Sequence, residues 1–155
     1  MRSCGALGLA ETNMFEAYLY DAVRTPRGRG KKDGKLHAVR PVELVRQLIV
    51  AILERNPTLP PEAIEDLILG CVTQVKEQGS NIAKVAAQVA GLPETVAGVT
   101  LNRFCASGLE AVNQAAAYLR AGIGEAFLAG GVESMSRVPM GSDGGGLVHG
   151  SARRL

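Results

Sequence analysis

Apolar residues recur along the chain in two spacings, and one of these predicts three helices. Residues 41–56, 81–90 and 107–120 carry apolar side chains every three or four positions, which is the period of one helix face. Pro41 suits the first turn of a helix, and Asn81 is a suitable N-cap. We expect the apolar faces of the first and last helices to lie in the core. The apolar positions are Leu44, Leu48, Ala51 and Ile52, then Ile82, Val85, Ala86 and Val89, and finally Leu109, Val112, Ala116 and Leu119.

The second spacing predicts strands between these helices. Tyr18 and Tyr20 alternate with Ala17 and Leu19, which favours a first strand over residues 16–22. Short apolar runs predict three more strands, over residues 66–72, 96–101 and 125–129. Strands that alternate with helices indicate an α/β fold with a mainly parallel mixed sheet and helices on both faces.

The composition excludes several classes of protein. Hydrophobic residues make up 46% of the 155 positions, so a disordered chain is not expected, and a net charge of +2 does not indicate nucleic-acid or membrane binding. No apolar run reaches the ~20 residues that span a bilayer. The three cysteines have neither disulfide-framework nor metal-ligand spacing, so we predict no metal site and a reducing, cytoplasmic setting.

The segment LNRFCASG, residues 101–108, is the best candidate for chemistry. It places Cys105 after a predicted strand and just before a helix, where free N–H groups and partial positive charge favour a thiolate. The competing interpretation is a buried structural cysteine. Cys71 lies inside an apolar strand and is predicted to be structural, while Cys4 lies in the leader and is predicted to be inert.

Other polar segments have weaker interpretations. A basic segment could face phosphates, but a solvated loop is the more common role of such a run, and its Gly and Lys do not make a P-loop. Asn102 and Arg103 could orient the turn before Cys105, contact a partner subunit, or be simply structural. The basic residues are Arg24, Arg27, Arg29, Lys31, Lys32, Lys35 and Arg40.

Four motifs in order resemble the thiolase family. NRFCASGLEAVNQAA resembles its nucleophile segment, and DAVRTPRG, at residues 21–28, resembles its opening motif. GCVTQVKEQGSNIAKVAAQVAGLP, at residues 70–93, and AGGVESMSRVP, at residues 129–139, are similar to its later segments. The resemblance implies the amino-terminal half of a thiolase fold, and it implies that residues 130–136 support the pocket.

The resemblance also implies an acyl-CoA acyltransferase. Cys105 would form an acyl-enzyme, either in thiolysis of 3-ketoacyl-CoA or in condensation of acetyl-CoA, with CoA thioesters as substrates and no further cofactor. The basic loop and SRVPMGSDGG favour the degradative reaction slightly. The family's second cysteine and catalytic histidine have no match here, since neither His37 nor His149 lies in such a motif. The family also implies a dimer or tetramer, with residues 96–101 as a candidate contact.

These observations predict a domain organisation and leave two other functions open. We expect a disordered leader over residues 1–13 with Met14 as a natural start, a thiolase amino-terminal domain over 14–146, and a non-family tail over 147–155. A truncated chain is not expected to be active alone, so the alternative is a non-catalytic fragment that self-associates or binds a partner chain. A condensing enzyme of the ketoacyl-synthase type ranks lower, because the motifs resemble thiolase more closely.

Overall fold

Three parallel strands form the centre of the molecule. The structure is a computed structural model, and it describes residues 16–145. The strands are β1 (Ile64–Gly70), β2 (Ala97–Leu101) and β3 (Ala126–Gly131), in the order β2-β1-β3. Both pairings are parallel, with Ile68 opposite Val99 on one side and Ala129 on the other. All three strands therefore end at the same edge of the sheet.

The three helices lie close to where the apolar spacing predicts them: one precedes β1 and the other two connect the strands. They are α1 (Pro41–Arg55), α2 (Ile82–Val89) and α3 (Ser107–Arg120), with 3₁₀ turns at Pro61–Ala63 and Lys76–Gln78. Asn81 caps α2, because its side-chain oxygen accepts the Lys84 N–H at 3.4 Å. None of the helices within residues 16–145 is both long and apolar enough to cross a membrane.

The core lies on both faces of the sheet. On one face α2 packs against β1 and β2, and α1 packs against α2; the buried residues there include Val45, Leu67 and Ala86. On the other face Ile68 packs against Ala111 of α3 and is fully buried. Burying a side chain of this size contributes roughly 1.5–3 kcal/mol. The predicted parallel α/β fold with helices on both faces is confirmed.

The predicted core faces of α1 and α3 are wrong, whereas Ile82 and Ala86, on the predicted apolar face of α2, are buried. In α1 the buried apolar side chains are Pro41, Val42, Val45 and Ile49, none of which belongs to the predicted set. In α3, Leu109 is 65% exposed and Val112 is 41% exposed. The reason is steric: α3 lies against the sheet through small residues, which allow a closer approach than leucine or valine. The buried residues of α3 are Ser107, Ala111 and Ala115.

The predicted first strand is also wrong. Residues 16–22 have no regular secondary structure, and Leu19 and Tyr20 are 81% and 89% exposed. Alternation marks a strand only where a neighbouring strand completes the hydrogen-bond ladder, and none among residues 16–145 pairs with this segment. Its anchor is Asp21, which accepts hydrogen bonds from the Arg55 guanidinium at 2.7 and 2.8 Å. The predicted leader and tail lie outside the described residues.

Candidate active site

The carboxyl edge of the sheet gathers the candidate residues. Cys71 follows β1, Asn102 follows β2, and Glu133 lies shortly after β3. In parallel α/β sheets this edge is where ligands usually bind, because the loops that leave the strands meet there. The three segments come from distant parts of the sequence, so the fold creates the site.

Cys105 lies in a strained turn between β2 and α3. Its thiol is exposed, and the preceding residue, Phe104, has a φ of +48°. A left-handed conformation costs a non-glycine residue roughly 1–2 kcal/mol. Such strain is usually kept at functional sites, where the surrounding structure over-determines it.

Hydrogen bonds hold the turn from both ends. The Phe104 N–H donates to Oδ1 of Asn102 at 2.8 Å, and Nδ2 of Asn102 donates to the Val72 carbonyl at 3.2 Å. On the other side, the Ser107 hydroxyl donates to the Phe104 carbonyl at 2.6 Å and accepts the Arg103 N–H at 2.8 Å. The backbone that presents Cys105 is therefore tied to α3 and to the end of β1.

The amino terminus of α3 points at the same turn. The N-cap residue is Ala106, and it makes no side-chain capping hydrogen bond. The first N–H groups of a helix have no partner within the helix, and together they carry partial positive charge. An anion beside this end, such as a cysteine thiolate, is stabilised there. Glu110, in the first turn, pairs with Arg103 at 3.1 Å.

Glycines let α3 lie directly on the sheet edge. A Cβ atom at Gly70 would come within 2.4 Å of the Ser107 carbonyl carbon, a distance that only a shift of the backbone could relieve. A Cβ at Gly131 would lie 3.1 Å from the Gly70 carbonyl oxygen and 3.4 Å from Cα of Gly108. The start of α3 is thus fixed by backbone contact, which sets the position of Cys105 relative to the strands.

Glu133 joins the segments that follow β1 and β3. Its carboxylate accepts the Val72 N–H at 2.7 Å, the Thr73 N–H at 3.4 Å and Nε2 of Gln78 at 2.8 Å. Gln78 is fully buried, donates a second hydrogen bond to the Thr73 carbonyl, and accepts the Ser134 N–H at 2.6 Å. The loop under the site is held by a connected polar network.

Cys71 lies in a different environment from Cys105. It is 1% exposed, and burial together with the nearby Glu133 carboxylate raises the pKa of its thiol to about 12. Both effects disfavour the thiolate. This agrees with the interpretation of Cys71 as a structural residue.

The basic segment lies at the surface. All seven of its Arg and Lys side chains are exposed, and Arg29 pairs with Asp33 at the surface. A cleft of about 350 Å³ lies beside it, lined by Arg24 and Arg27, by α1, and by Gly131 to Glu133. Cys105 does not line this cleft, so its thiol opens onto the surface.

The loop before α1 carries a histidine, His37, outside the site at the sheet edge. Among residues 16–145, no three His, Cys, Asp or Glu side chains come together as metal ligands would. His37 lies in the loop before α1, where its carbonyl accepts a 2.6 Å hydrogen bond from Arg137. Arg137 also pairs with Glu77, and this contact lowers the pKa of the Glu77 carboxyl.

The sequence missed part of this site. The sequence predicts only that Glu133 supports the pocket. It predicts no role for Gln78, because a single glutamine in a loop forms no pattern. Gly70 was hidden inside an apolar run. Their roles arise from contacts between segments some 30 to 60 residues apart, which local spacing does not encode.

Fold and site together define a parallel α/β domain that presents an exposed cysteine at a strand-to-helix turn. Residues 17–152 match the family model described as the thiolase amino-terminal domain. Over 127 residues the chain is 51% identical to a 3-ketoacyl-CoA thiolase of Colwellia psychrerythraea and 49% identical to one of Shewanella sp.. In both cases the alignment covers 82% of this chain and 33% of the relative.

Solved structures show the same likeness. An acetyl-CoA acetyltransferase of Bacillus anthracis superposes with a TM-score of 0.71 at 36% identity, over 81% of this chain and 31% of that one. A thiolase of Ascaris suum, solved in complex with coenzyme A, gives a TM-score of 0.65 at 29% identity, over 70% of this chain and 28% of that one. The chain belongs to the thiolase family, and it spans about a third of the length of the curated relatives it matches.

Proposed function

We propose that this chain carries the nucleophile of a thiolase, with Cys105 as the residue that becomes acylated. The observation that supports this most directly is the contrast between two cysteines. Cys105 is exposed at the amino end of α3, while Cys71 is buried with its pKa raised to about 12. A nucleophilic cysteine must be accessible to its substrate, and of the two described cysteines Cys105 is the exposed one.

The reaction we propose is thiolysis of a 3-ketoacyl-CoA. The Cys105 thiolate attacks the 3-keto carbon, a carbon–sulfur bond forms, and the bond between carbons 2 and 3 breaks. Its electron pair stays on carbon 2, which takes a proton and leaves as acetyl-CoA. The thiol of free CoA then attacks the acyl-cysteine, releases a shortened acyl-CoA and regenerates the thiol of Cys105. This divides one difficult step into two easier ones.

The described residues account for part of this reaction. α3 begins two residues after Cys105, and the amino end of a helix generally favours a nearby anion. The strained turn and the glycine contacts fix the sulfur relative to the sheet edge. The protonation of carbon 2 and the binding of CoA are assigned to no residue of this chain, which covers a third of its curated relatives.

The degradative direction is supported by the names of the relatives. The curated relatives at 47–51% identity are 3-ketoacyl-CoA thiolases, whereas the structural neighbour named an acetyl-CoA acetyltransferase is 36% identical. Condensation of acetyl-CoA uses the same cysteine in the reverse sense. The two are separated by comparing the rates at which acetoacetyl-CoA and acetyl-CoA acylate Cys105, with faster acylation by acetoacetyl-CoA expected.

We further propose that the chain forms homo-oligomers and acts in the cytoplasm. β2 lies at an edge of the described sheet, and Ala97 and Val99 on it are exposed, which suits pairing with a second copy. The cytoplasmic setting is supported by the cysteine usage, since the sequence holds three cysteines without the spacing of a disulfide framework. Light scattering of the purified chain tests the oligomer, and a monomer at high micromolar concentration would contradict it.

The nucleophile is tested by intact mass spectrometry. The 155-residue chain is mixed with acetoacetyl-CoA, quenched in acid and mapped by peptides, in parallel with Cys105→Ala and, as a matched control, Cys4→Ala. We expect one acyl group on Cys105, lost in Cys105→Ala, kept in Cys4→Ala and absent when the chain is first unfolded in urea. Equal labelling of all three cysteines, or no adduct on a folded chain, would overturn the assignment.

A further inference from the structure

The turn that presents Cys105 is held by two polar side chains that flank it in sequence. Asn102 lies three residues before the cysteine and Ser107 two residues after it. Between them stands Phe104, whose φ of +48° is unfavourable for an aromatic residue. The conformation therefore depends on contacts that outweigh its strain.

Those contacts bind both peptide groups of Phe104. Its N–H donates to Oδ1 of Asn102 at 2.8 Å, and its carbonyl accepts the Ser107 hydroxyl at 2.6 Å. Each side chain then makes a second bond that fixes its own position. Asn102 donates to the Val72 carbonyl at 3.2 Å, and Ser107 accepts the Arg103 N–H at 2.8 Å.

We propose that Asn102 and Ser107 are positioning residues that hold the turn at Phe104, so that the Cys105 thiol stays at the amino end of α3. This rests on the proposed function, in which Cys105 is the nucleophile. The two residues bond the turn to different elements. Asn102 bonds it to Val72, which follows β1, and Ser107 is the first residue of α3. Ser107 is 4% exposed, so water does not replace its two hydrogen bonds.

The proposal predicts a loss of reactivity without a loss of access. Cys105 is already exposed, so a relaxed turn does not uncover it further. It does release the sulfur from the position beside the start of α3 in which the hydrogen bonds to Phe104 hold it. A displacement of about 1 Å of a reacting group can cost on the order of 100-fold in rate. Removing one of the two side chains leaves the other hydrogen bond to Phe104 in place, so we expect the rate to fall by roughly 10-fold.

The first experiment measures the rate at which iodoacetamide alkylates Cys105 at neutral pH, a reaction that needs no acyl-CoA. We expect Asn102→Ala and Ser107→Ala each to lower this rate about 10-fold relative to the parent. The matched control is Asn113→Ala, an asparagine exposed on α3, and its rate should equal that of the parent. Alkylation at the parent rate in both Asn102→Ala and Ser107→Ala overturns the proposal.

The second experiment reads the turn directly through hydrogen exchange of the Phe104 amide. Loss of its acceptor in Asn102→Ala should speed this exchange by about 10-fold or more, in line with the loss of one hydrogen bond. Asn102→Asp should restore the protection, because its carboxylate still accepts the Phe104 N–H. Unchanged exchange in Asn102→Ala, or no restoration by Asn102→Asp, contradicts the proposed contact. If Ser107→Ala does not fold, the exposed Asn102 carries both experiments alone.

The third experiment separates this inference from the proposed function. With acetoacetyl-CoA, we expect the variants to lower the maximal rate of Cys105 acylation and to leave the half-saturating concentration unchanged, since the two side chains grip the backbone. A parent chain that forms no acyl adduct overturns the proposed function, and alkylation and amide exchange then still decide the positioning role. An unchanged acylation rate in Asn102→Ala overturns the positioning role, and the proposed function stands.

Discussion

The N–H of Val72 lies 2.7 Å from Oε2 of Glu133, so the backbone that leaves β1 is bonded to a side chain that follows β3. The Val72 carbonyl, on the next peptide group, accepts the Asn102 amide that follows β2. One residue therefore links the ends of all three strands. The candidate active site depends on this junction.

Gln78 is the buried centre of the polar network under the site. Gln78→Ala removes the acceptor of the Ser134 N–H and one donor to Glu133. An unsatisfied buried group costs about 1–3 kcal/mol, and the cavity left behind adds to this. We expect Gln78→Ala to lower the free energy of unfolding, measured in urea, by about 1–3 kcal/mol or more. The control is Gln88→Ala, at an exposed position of α2, which should change the unfolding free energy by less than about 0.5 kcal/mol. Equal effects of the two substitutions would contradict the network.

Gly70 is required by the close approach of α3. In Gly70→Ala the new methyl group would meet the Ser107 carbonyl carbon at 2.4 Å. The nearest atoms that it would meet, in Ser107 and Gly108, all belong to the backbone. We expect a loss of about 1–3 kcal/mol in unfolding free energy, the usual cost of overpacking, and slower acylation of Cys105 because the start of α3 is displaced. Gly130→Ala is the comparison, since a methyl group there has no atom within 4 Å. A Gly70→Ala chain as stable and as reactive as Gly130→Ala would show that the contact is unimportant.

Asp21 predicts a stability change at acidic pH. Hydrogen bonds from the Arg55 guanidinium, and then from Asn56, lower the pKa of its carboxyl from 3.8 to about 2. A carboxyl with a lowered pKa in the folded state stabilises the fold fully above its unfolded pKa, and that contribution disappears as the pH falls through the folded pKa. The difference in unfolding free energy between the parent and Asp21→Asn should therefore be constant above about pH 5 and should disappear between about pH 4 and 2. Unfolding in urea across this range measures it.

The control for Asp21 is an aspartate in a more exposed ion pair. Asp33 pairs with Arg29 at 3.1 Å, and both side chains are about two-thirds exposed. Exposed pairs contribute little to stability, so Asp33→Asn should match the parent at every pH. A gap for Asp21→Asn that persists at pH 2, or one that is absent at pH 6, would contradict the role of the Arg55 contact.

Cys71 should be chemically silent while the chain is folded. Its pKa of about 12 leaves almost no thiolate at pH 8, and its side chain is 1% exposed. Iodoacetamide should therefore alkylate Cys105 and spare Cys71 in buffer, and it should alkylate both in urea. Peptide mapping reads each site separately. Labelling of Cys71 at the rate of Cys105 in the folded chain would contradict its burial.

The elements with strong local signals were predictable from sequence. The predicted span of α3 matches the structure at both ends, and Asn81 was assigned correctly as the N-cap of α2. These features are decided within a few residues of chain. The exposed position of Cys105 follows from the same kind of signal, a strand, a short turn and a helix in sequence.

The features that depend on distant partners were not predictable. The alternation at Tyr18 and Tyr20 indicates a strand, but pairing is decided by whether a neighbouring strand is present, and here it is not within residues 16–145. Leu109 and Val112 form a plausible core face, yet Ala111 and Ala115 pack against the face of the sheet instead, because the glycines bring α3 closer. The nucleophile role of Cys105 stays a prediction.

The strand order β2-β1-β3 has a consequence for the order of folding. Every pairing is parallel and needs a crossover: Asp66 meets Ala97, and Ile64 meets Ala126 at about twice that separation along the chain. Doubling a loop adds roughly 0.6 kcal/mol to the entropy of closure, so β1 is expected to recruit β2 before β3. The bond from Asn102 to Val72 belongs to the early pairing, and the bond from Glu133 to Val72 belongs to the late one. The end of β1 thus meets the segment before Cys105 through the shorter crossover, and it meets Glu133 through the longer one.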